Sequence, residues 1–195
     1  IILGIAVVLV FVASPKYGQF VIMGILGIGF MAVFLALESY RLERIAIWRN
    51  PENYEKGYQT LQGLYAIGSG GLFGRGLGQS VQKLGFVPEA QNDMIFSIIC
   101  VELGLFGAGM ILLLFLILIW RFYVVASRAE DLFGALIASG AMAHMMIQVI
   151  LNIAVVTNTI PNTGITLPFV SYGGTSVVFL LLEMGLVFSV SSLVK

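Results

Sequence analysis

Long apolar stretches without a charged residue divide the chain into predicted membrane spans. A membrane helix needs about 20 mostly apolar residues, because an ionised side chain in the hydrocarbon core is costly. Turn-forming residues at 14–16 and 161–168 separate neighbouring stretches. The pattern predicts an all-α fold, a polytopic transmembrane helical bundle with six spans at 1–15, 17–37, 57–74, 94–123, 132–156 and 166–190.

The third predicted span, 57–74, is distinguished by its glycine content. Glycine is a poor helix former, and irregular backbone at membrane depth is tolerated only beside protein or water. We therefore expect this span to be broken or to line an outward-facing cavity. Its glycines are Gly57, Gly63, Gly68, Gly70, Gly71 and Gly74.

Composition excludes a soluble domain and several kinds of site. Only 10% of the residues are charged, 59% are hydrophobic and the mean hydropathy is +1.01, whereas an ordinary soluble domain carries about 25% charged residues. The formal net charge of +0 gives no electrostatic reason to expect nucleic acid as a partner. The single Cys100 forbids an internal disulfide and cannot by itself supply a multi-cysteine metal site.

Basic residues near the span ends predict an orientation, because cytoplasmic loops retain Lys and Arg. Seven of them lie on alternate connections against three on the other side, so we place the seven inside. The segments 75–92 and 157–168 then both face outward. The predicted inner residues are Arg41, Arg44, Arg49, Lys56, Arg121, Arg128 and Lys195, and the outer ones are Lys16, Arg75 and Lys83. Arg41, Arg44, Trp48 and Arg49 are interpreted as an interfacial anchor.

Asp93 is the carboxylate with the clearest chemical potential, because it stands where the fourth span begins. Two interpretations stay open. It could cap the helix N-terminus, as Asn92 could, or it could act as a general base that removes a proton from a sugar hydroxyl. Glu102 lies nine residues on, about 180° around an ideal helix, so the two are not an acid and base pair.

Charge is also concentrated in the outward segment 75–92. Arg75 and Lys83 beside a glycine-rich loop could bind a diphosphate, or they could contact lipid head groups. The polar, flexible backbone from Ser171 to Ser176 is typical of a cavity wall.

A polar stripe marks the fifth span. His144, Gln148 and Asn152 recur every four residues and fan over about 80° of one helix face. Interhelical hydrogen bonding is the simpler interpretation, and lining a substrate cavity is the alternative. His144 alone is not a metal site. Glu183, in the last span, requires a polar partner or water, and the sequence does not name that partner.

Three stretches, in order, resemble the SEDS family of shape, elongation, division and sporulation proteins, of the FtsW, SpoVE and RodA type. They are GYQTLQGLYAIGSGGLFGRGLGQS (57–80), QKLGFVPEAQNDMIF (82–96) and NIAVVTNTIPNTGITLPFVSYGGTS (152–176). Members of this family have about ten membrane helices. The resemblance therefore implies that residues 1–195 form a single transmembrane domain, the C-terminal half of a longer protein.

The resemblance implies a peptidoglycan glycosyltransferase that polymerises lipid II at the outer face of the bacterial cytoplasmic membrane. Asp93 matches the family's essential aspartate. Lys83 matches a motif position that we assign to the diphosphate, and Glu89 one that organises the loop. The candidate substrate-binding residues are Lys83, Arg75, Glu89, Gln91, Ser171 and Tyr172, and the candidate cavity-lining residues are His144, Gln148 and Asn152.

The resemblance also implies partners: lipid II, glycan linked to undecaprenyl diphosphate, membrane lipids and a class B penicillin-binding protein. It establishes no cofactor and leaves open a divalent cation, Mg²⁺ or Mn²⁺. A lipid II flippase and a non-catalytic scaffold of the division machinery are the alternative functions. Division, elongation and sporulation are not distinguished. The chain departs from the family pattern at Gln91-Asn92, Val101 and Asn158, and Asp93 is retained.

Overall fold

A computed structural model describes residues 1–14, 17–36, 39–80 and 91–193, and this part of the chain is helical without any strand. The predicted all-α fold is therefore confirmed. The helices are α1 (Ile2–Ala13), α2 (Tyr17–Ala36), α3 (Ser39–Arg49), α4 (Tyr58–Ser69), α5 (Ile95–Arg128), α6 (Leu132–Val156) and α7 (Gly174–Leu193). Two single 3₁₀ turns, Pro51–Asn53 and Glu55–Gly57, connect α3 to α4.

Three of these helices, α5, α6 and α7, are long and apolar enough to cross a membrane. Two shorter apolar helical stretches, Ile2–Ala13 and Phe20–Phe30, add to them within the described residues. The chain is thus a multi-pass helical membrane protein. The number of crossings stays a prediction.

The chain forms two compact units. Unit 1 contains residues 1–43, 118–147 and 181–195, and unit 2 contains residues 44–117 and 148–180. In unit 1, small residues let helices approach: an added Cβ at Gly140 would touch Leu9, and one at Gly134 would press on Val190. In unit 2, α4 and the segment that follows it pack against the first turns of α5. The residues with candidate chemistry near Asp93 belong to unit 2.

Helix α5 is interrupted at Gly104, whose φ of 68° and ψ of −172° are not helical. A loop of residues 70–76, which we call the glycine loop, supplies the hydrogen bonds that the interruption leaves unmade. The amides of Arg75 and Gly76 donate to the carbonyls of Val101 and Glu102 at 2.8 and 3.0 Å. In return, the amides of Leu105 and Phe106 donate to Gly71 and Leu72, both at 3.0 Å.

The absence of side chains at three glycines makes this docking possible. A Cβ at Gly70 would overlap the carbonyl of Cys100, and one at Gly74 would overlap the carbonyl of Glu102. Gly74 and Gly104 also have positive φ values of 76° and 68°, which L-residues rarely adopt. The sequence predicts that 57–74 is broken, and α4 ends inside it, at Ser69, whereas the interruption of α5 inside 94–123 is not predicted.

Helix α4 lies beside the first turns of α5 rather than leading away from it. Gln59, in its first turn, contacts Asp93, and Gly63 packs against Met94 and Ser97. Its 12 residues span about 18 Å, against about 30 Å of hydrocarbon core. Helix α4 alone is therefore too short to cross the hydrocarbon core.

Candidate active site

The turn at residues 91–94 carries Asp93 immediately before α5 begins. Its three successive backbone carbonyls each accept a hydrogen bond from elsewhere in unit 2. Gln91 accepts from the amide of Tyr172 at 2.8 Å, and Asn92 accepts from the Ser171 hydroxyl at 2.6 Å. The carbonyl of Asp93 accepts from Asn152 Nδ2 at 2.9 Å. The backbone beneath Asp93 is therefore held by α6 and by residues 157–173, which we call the return loop.

The Asp93 side chain is 7% exposed and is contacted by α4. Gln59 Nε2 donates to Oδ1 at 3.2 Å and lies 3.5 Å from Oδ2. Gln59 Oε1 in turn accepts from Asn162 Nδ2 at 3.3 Å, and Asn162 Oδ1 accepts from the amide of Gly164 at 2.9 Å. A chain of amide groups thus leads from the return loop to the carboxylate.

Ser171 and Tyr172, both predicted to bind substrate, differ in their surroundings. The buried Ser171 hydroxyl accepts from the amide of Leu167 at 2.7 Å while it donates to Asn92, so it connects two backbone segments. The Tyr172 side chain is 75% exposed, and Gln91 is exposed as well. Tyr172 and Gln91 are therefore exposed beside the backbone turn that carries Asp93. A substrate contact of any of the three stays a prediction.

The cationic residues predicted for the diphosphate are not described together. Arg75 is exposed, its Nε donates to the carbonyl of Ser69 at 3.2 Å, and its backbone is fixed beside Val101 by the glycine loop. Lys83 and Glu89 lie outside the described residues. The structure therefore places Arg75 by its backbone, and its part in substrate binding stays a prediction.

The polar stripe of α6 makes hydrogen bonds between elements. In unit 2 the buried Gln148 donates to the carbonyl of Thr166 at 3.1 Å, and Asn152 donates to the carbonyl of Ile165 at 2.7 Å. In unit 1 His144 Nδ1 lies 2.8 Å from Glu183 Oε2, which names the partner of Glu183. Only the His144–Glu183 contact joins two helices, whereas Gln148 and Asn152 bond to non-helical segments, and lining of a substrate cavity by these three residues stays a prediction.

In unit 1, His144 and Glu183 line an otherwise apolar groove of about 690 Å³. No group of three or more His, Cys, Asp or Glu side chains in the described residues is arranged to hold a metal ion. That part of the chain therefore contains no such ligand set for Mg²⁺ or Mn²⁺. No catalytic step is assigned to a cation.

The predicted separation of 41–56 from 157–168 across the membrane is wrong. Arg44 donates to the carbonyl of Asn162 at 2.8 Å, and Trp48 Nε1 donates to the carbonyl of Asn158 at 2.9 Å. Segments joined by such bonds lie on one side. The prediction counts 57–74 as a crossing, and these hydrogen bonds contradict that count. Arg41, Arg44, Arg49 and Lys56 therefore leave the inner group, and the basic residues no longer decide the orientation.

Residue chemistry alone does not reveal Gln59, Asn162 and Arg44 as parts of the site. Gln59 and Asn162 are uncharged and 103 positions apart, so neither composition nor spacing relates them. In the sequence, Asn158 is only a departure from the family pattern. Its φ of 55° explains the residue type, because Asn adopts the left-handed region more readily than other residues with a side chain.

Comparisons with known proteins agree with the resemblance seen in the three motifs. The chain is 46% identical over 194 residues to stage V sporulation protein E of Bacillus subtilis, covering 98% of this chain and 53% of that protein. It is 39% identical over 188 residues to the probable peptidoglycan glycosyltransferase FtsW of Coxiella burnetii, covering 94% and 50%. The chain spans about half the length of the curated relatives it matches.

A solved structure is similar as well. It is described as "Structural coordination of polymerization and crosslinking by a peptidoglycan synthase complex", and it matches with a TM-score of 0.75 and 28% identity, over 95% of this chain and 52% of that one. The family model for FtsW, RodA and SpoVE, described as cell cycle protein, matches residues 1–195. The chain therefore belongs to the FtsW, RodA and SpoVE family of cell cycle proteins.

Proposed function

We propose that this protein is a peptidoglycan glycosyltransferase, which polymerises lipid II into glycan strands at the outer face of the bacterial cytoplasmic membrane. Family membership supports the reaction class. The observation that supports the site is the Asp93 carboxylate, which is nearly buried, hydrogen-bonded by Gln59 and carried on a backbone turn with three external hydrogen bonds. A catalytic base has to be held in a fixed position relative to the hydroxyl that it deprotonates.

In the proposed reaction, Asp93 accepts the proton of the 4-hydroxyl of the acceptor GlcNAc. The hydroxyl oxygen then forms a bond to the anomeric carbon of the lipid-linked donor. The bond from that carbon to the diphosphate oxygen breaks, with inversion, and the electron pair leaves with undecaprenyl diphosphate. Atoms and charge balance without a redox partner. Partial exclusion of water around the carboxylate favours proton transfer from substrate over exchange with solvent.

The remaining assignments extend the same proposal. Lys83 and Arg75 would bind the diphosphate, because cations stabilise the charge that develops on the leaving group. Glu89 would organise the loop that carries Lys83, and Gln91, Ser171 and Tyr172 would contact the sugar. His144, Gln148 and Asn152 would line the cavity. A class B penicillin-binding protein would crosslink the strands, and the outward placement of Asp93 rests on the family.

Polymerisation of lipid II by the full-length protein with its penicillin-binding partner tests the proposal. Asp93→Ala should abolish glycan chain formation, because the base is removed. Glu130→Ala is the matched control, since Glu130 is a carboxylate in the turn between α5 and α6 and belongs to unit 1 rather than unit 2, and it should leave the rate unchanged. Unchanged chain formation by Asp93→Ala would contradict the mechanism. Scrambling of labelled lipid II without polymerisation by the unsubstituted protein would favour a flippase instead.

A further inference from the structure

We propose that Gln59 and Asn162 form an amide relay that aims a hydrogen-bond donor at the Asp93 carboxylate and so positions it for proton abstraction. This inference rests on the proposed function. Both are positioning residues, because they act through Asp93. The contacts are Gly164 N to Asn162 Oδ1, Asn162 Nδ2 to Gln59 Oε1, and Gln59 Nε2 to Asp93.

The direction of the relay is set from the return loop. A side-chain amide has one acceptor end and one donor end, and neighbouring groups determine which end faces which way. The amide of Gly164 is a backbone donor and can pair only with the oxygen of Asn162, at 2.9 Å. The Asn162 amide nitrogen is thereby turned toward Gln59.

The same logic then determines the orientation of Gln59. Its Oε1 accepts from Asn162 Nδ2 at 3.3 Å, so its Nε2 is turned toward Asp93. That nitrogen lies 3.2 Å from Oδ1 and 3.5 Å from Oδ2. With the opposite orientation, Gln59 would present an oxygen to a carboxylate, which is repulsive. The relay therefore fixes the Gln59 amide in the orientation that places its nitrogen, rather than its oxygen, against the Asp93 carboxylate.

Both ends of the relay are anchored. The Arg44 guanidinium donates to the carbonyl of Asn162 at 2.8 Å. Asn152 Nδ2 donates at once to the carbonyls of Ile165 and Asp93, at 2.7 and 2.9 Å. The distance between the return loop and the Asp93 backbone is thus held by α6, independently of Gln59. Gln59 fills this span with an uncharged hydrogen-bond donor to the carboxylate.

Initial rates of lipid II polymerisation by Gln59→Leu, in the full-length protein with its partner, test the relay. We expect kcat to fall roughly 10-fold or more with KM within about two-fold, because loss of positioning slows the chemical step. Gln62→Leu, the same change three residues along α4, is the matched control and should retain the rate. A folded Gln59→Leu with kcat within about two-fold of the unsubstituted protein would overturn the inference.

A double-mutant cycle separates a relay from independent structural effects. Asn162→Leu should lower kcat by roughly three- to ten-fold alone and should cause no further loss in the Gln59→Leu background, since both act through one contact. Rate effects that multiply would contradict the relay.

Gln59→Glu keeps the proposal testable if the leucine variants do not fold. A second carboxylate beside Asp93 should move the acid limb of the pH–rate profile to higher pH, by about one unit or more. An unmoved limb in folded Gln59→Glu would count against the relay. Normal polymerisation by folded Asp93→Asn would refute Asp93 as the base, whereas loss of activity in Asp93→Asn with normal rates in the Gln59 variants refutes only the relay.

Discussion

At the scale of single residues, the sequence identifies charged site residues but not uncharged polar ones. Asp93 stands out in a chain with 10% charged residues, so its position at a helix start is evident from the sequence alone. Gln59 and Asn162 are ordinary polar residues whose role exists only because the return loop meets α4. Glu183 needs a partner by its chemistry, but His144 lies 39 positions away and is identified only by the packing of unit 1.

The His144 and Glu183 pair should contribute to stability as a unit. Both side chains line an apolar groove, where each supplies the polar partner that the other would otherwise have to find in water. Glu183→Leu should lower the thermal stability of the protein in detergent, because it leaves His144 unpaired there. The double variant His144→Phe with Glu183→Leu should recover part of the loss, with a coupling of about 1 kcal/mol. Destabilisations that simply add would contradict this pairing.

At the scale of elements, the sequence predicts irregular backbone but not which helix contains it. Of the glycines in 57–74, Gly70 and Gly74 are required where the glycine loop approaches the backbone of α5. A high glycine content indicates where two backbones approach closely. It does not identify the helix that the glycine-rich segment contacts. Gly104 is one of three glycines within residues 104–109, and composition does not indicate which of them interrupts α5.

Alanine substitution at Gly70 tests the docking of the glycine loop. Gly70 has ordinary helical φ and ψ values, so the only penalty is the overlap of a Cβ with Cys100 and Val101. We expect Gly70→Ala to destabilise the protein by about 1–3 kcal/mol in thermal unfolding.

Gly68→Ala is the matched control, since a Cβ there meets open space within α4. It should be neutral or stabilising by up to about 1 kcal/mol. Equal stability of the two variants would show that the loop does not pack against α5 as described.

At the scale of the whole molecule, the sequence is enough to predict the all-α fold and the family. It does not correctly predict which connecting segments share a side of the membrane. Span prediction counts apolar length and cannot distinguish a crossing from an apolar segment that stays on one side of the membrane. One such miscount inverts every earlier connection. Hydrogen bonds from Arg44 and Trp48 to the return loop correct the assignment for 41–56.

Cysteine labelling tests the corrected topology. In a Cys100→Ala background, Asn50→Cys and Thr163→Cys should react with a membrane-impermeant maleimide from the same side, because α3 and the return loop are hydrogen-bonded. Asp131→Cys, after the long α5, should react only from the other side. All three positions are exposed. Labelling of positions 50 and 163 from opposite sides would contradict the topology.

The central claim is that Asp93 acts as a base rather than as a helix cap, and Asp93→Asn separates these roles. Asparagine caps helices about as well as aspartate, so a capping role predicts near-normal activity. A carboxamide cannot accept the proton, so a catalytic role predicts that the initial rate of lipid II polymerisation falls roughly 10²-fold or more, with unchanged thermal stability. Polymerisation by folded Asp93→Asn at the rate of the unsubstituted protein would contradict the assignment of Asp93 as the catalytic base.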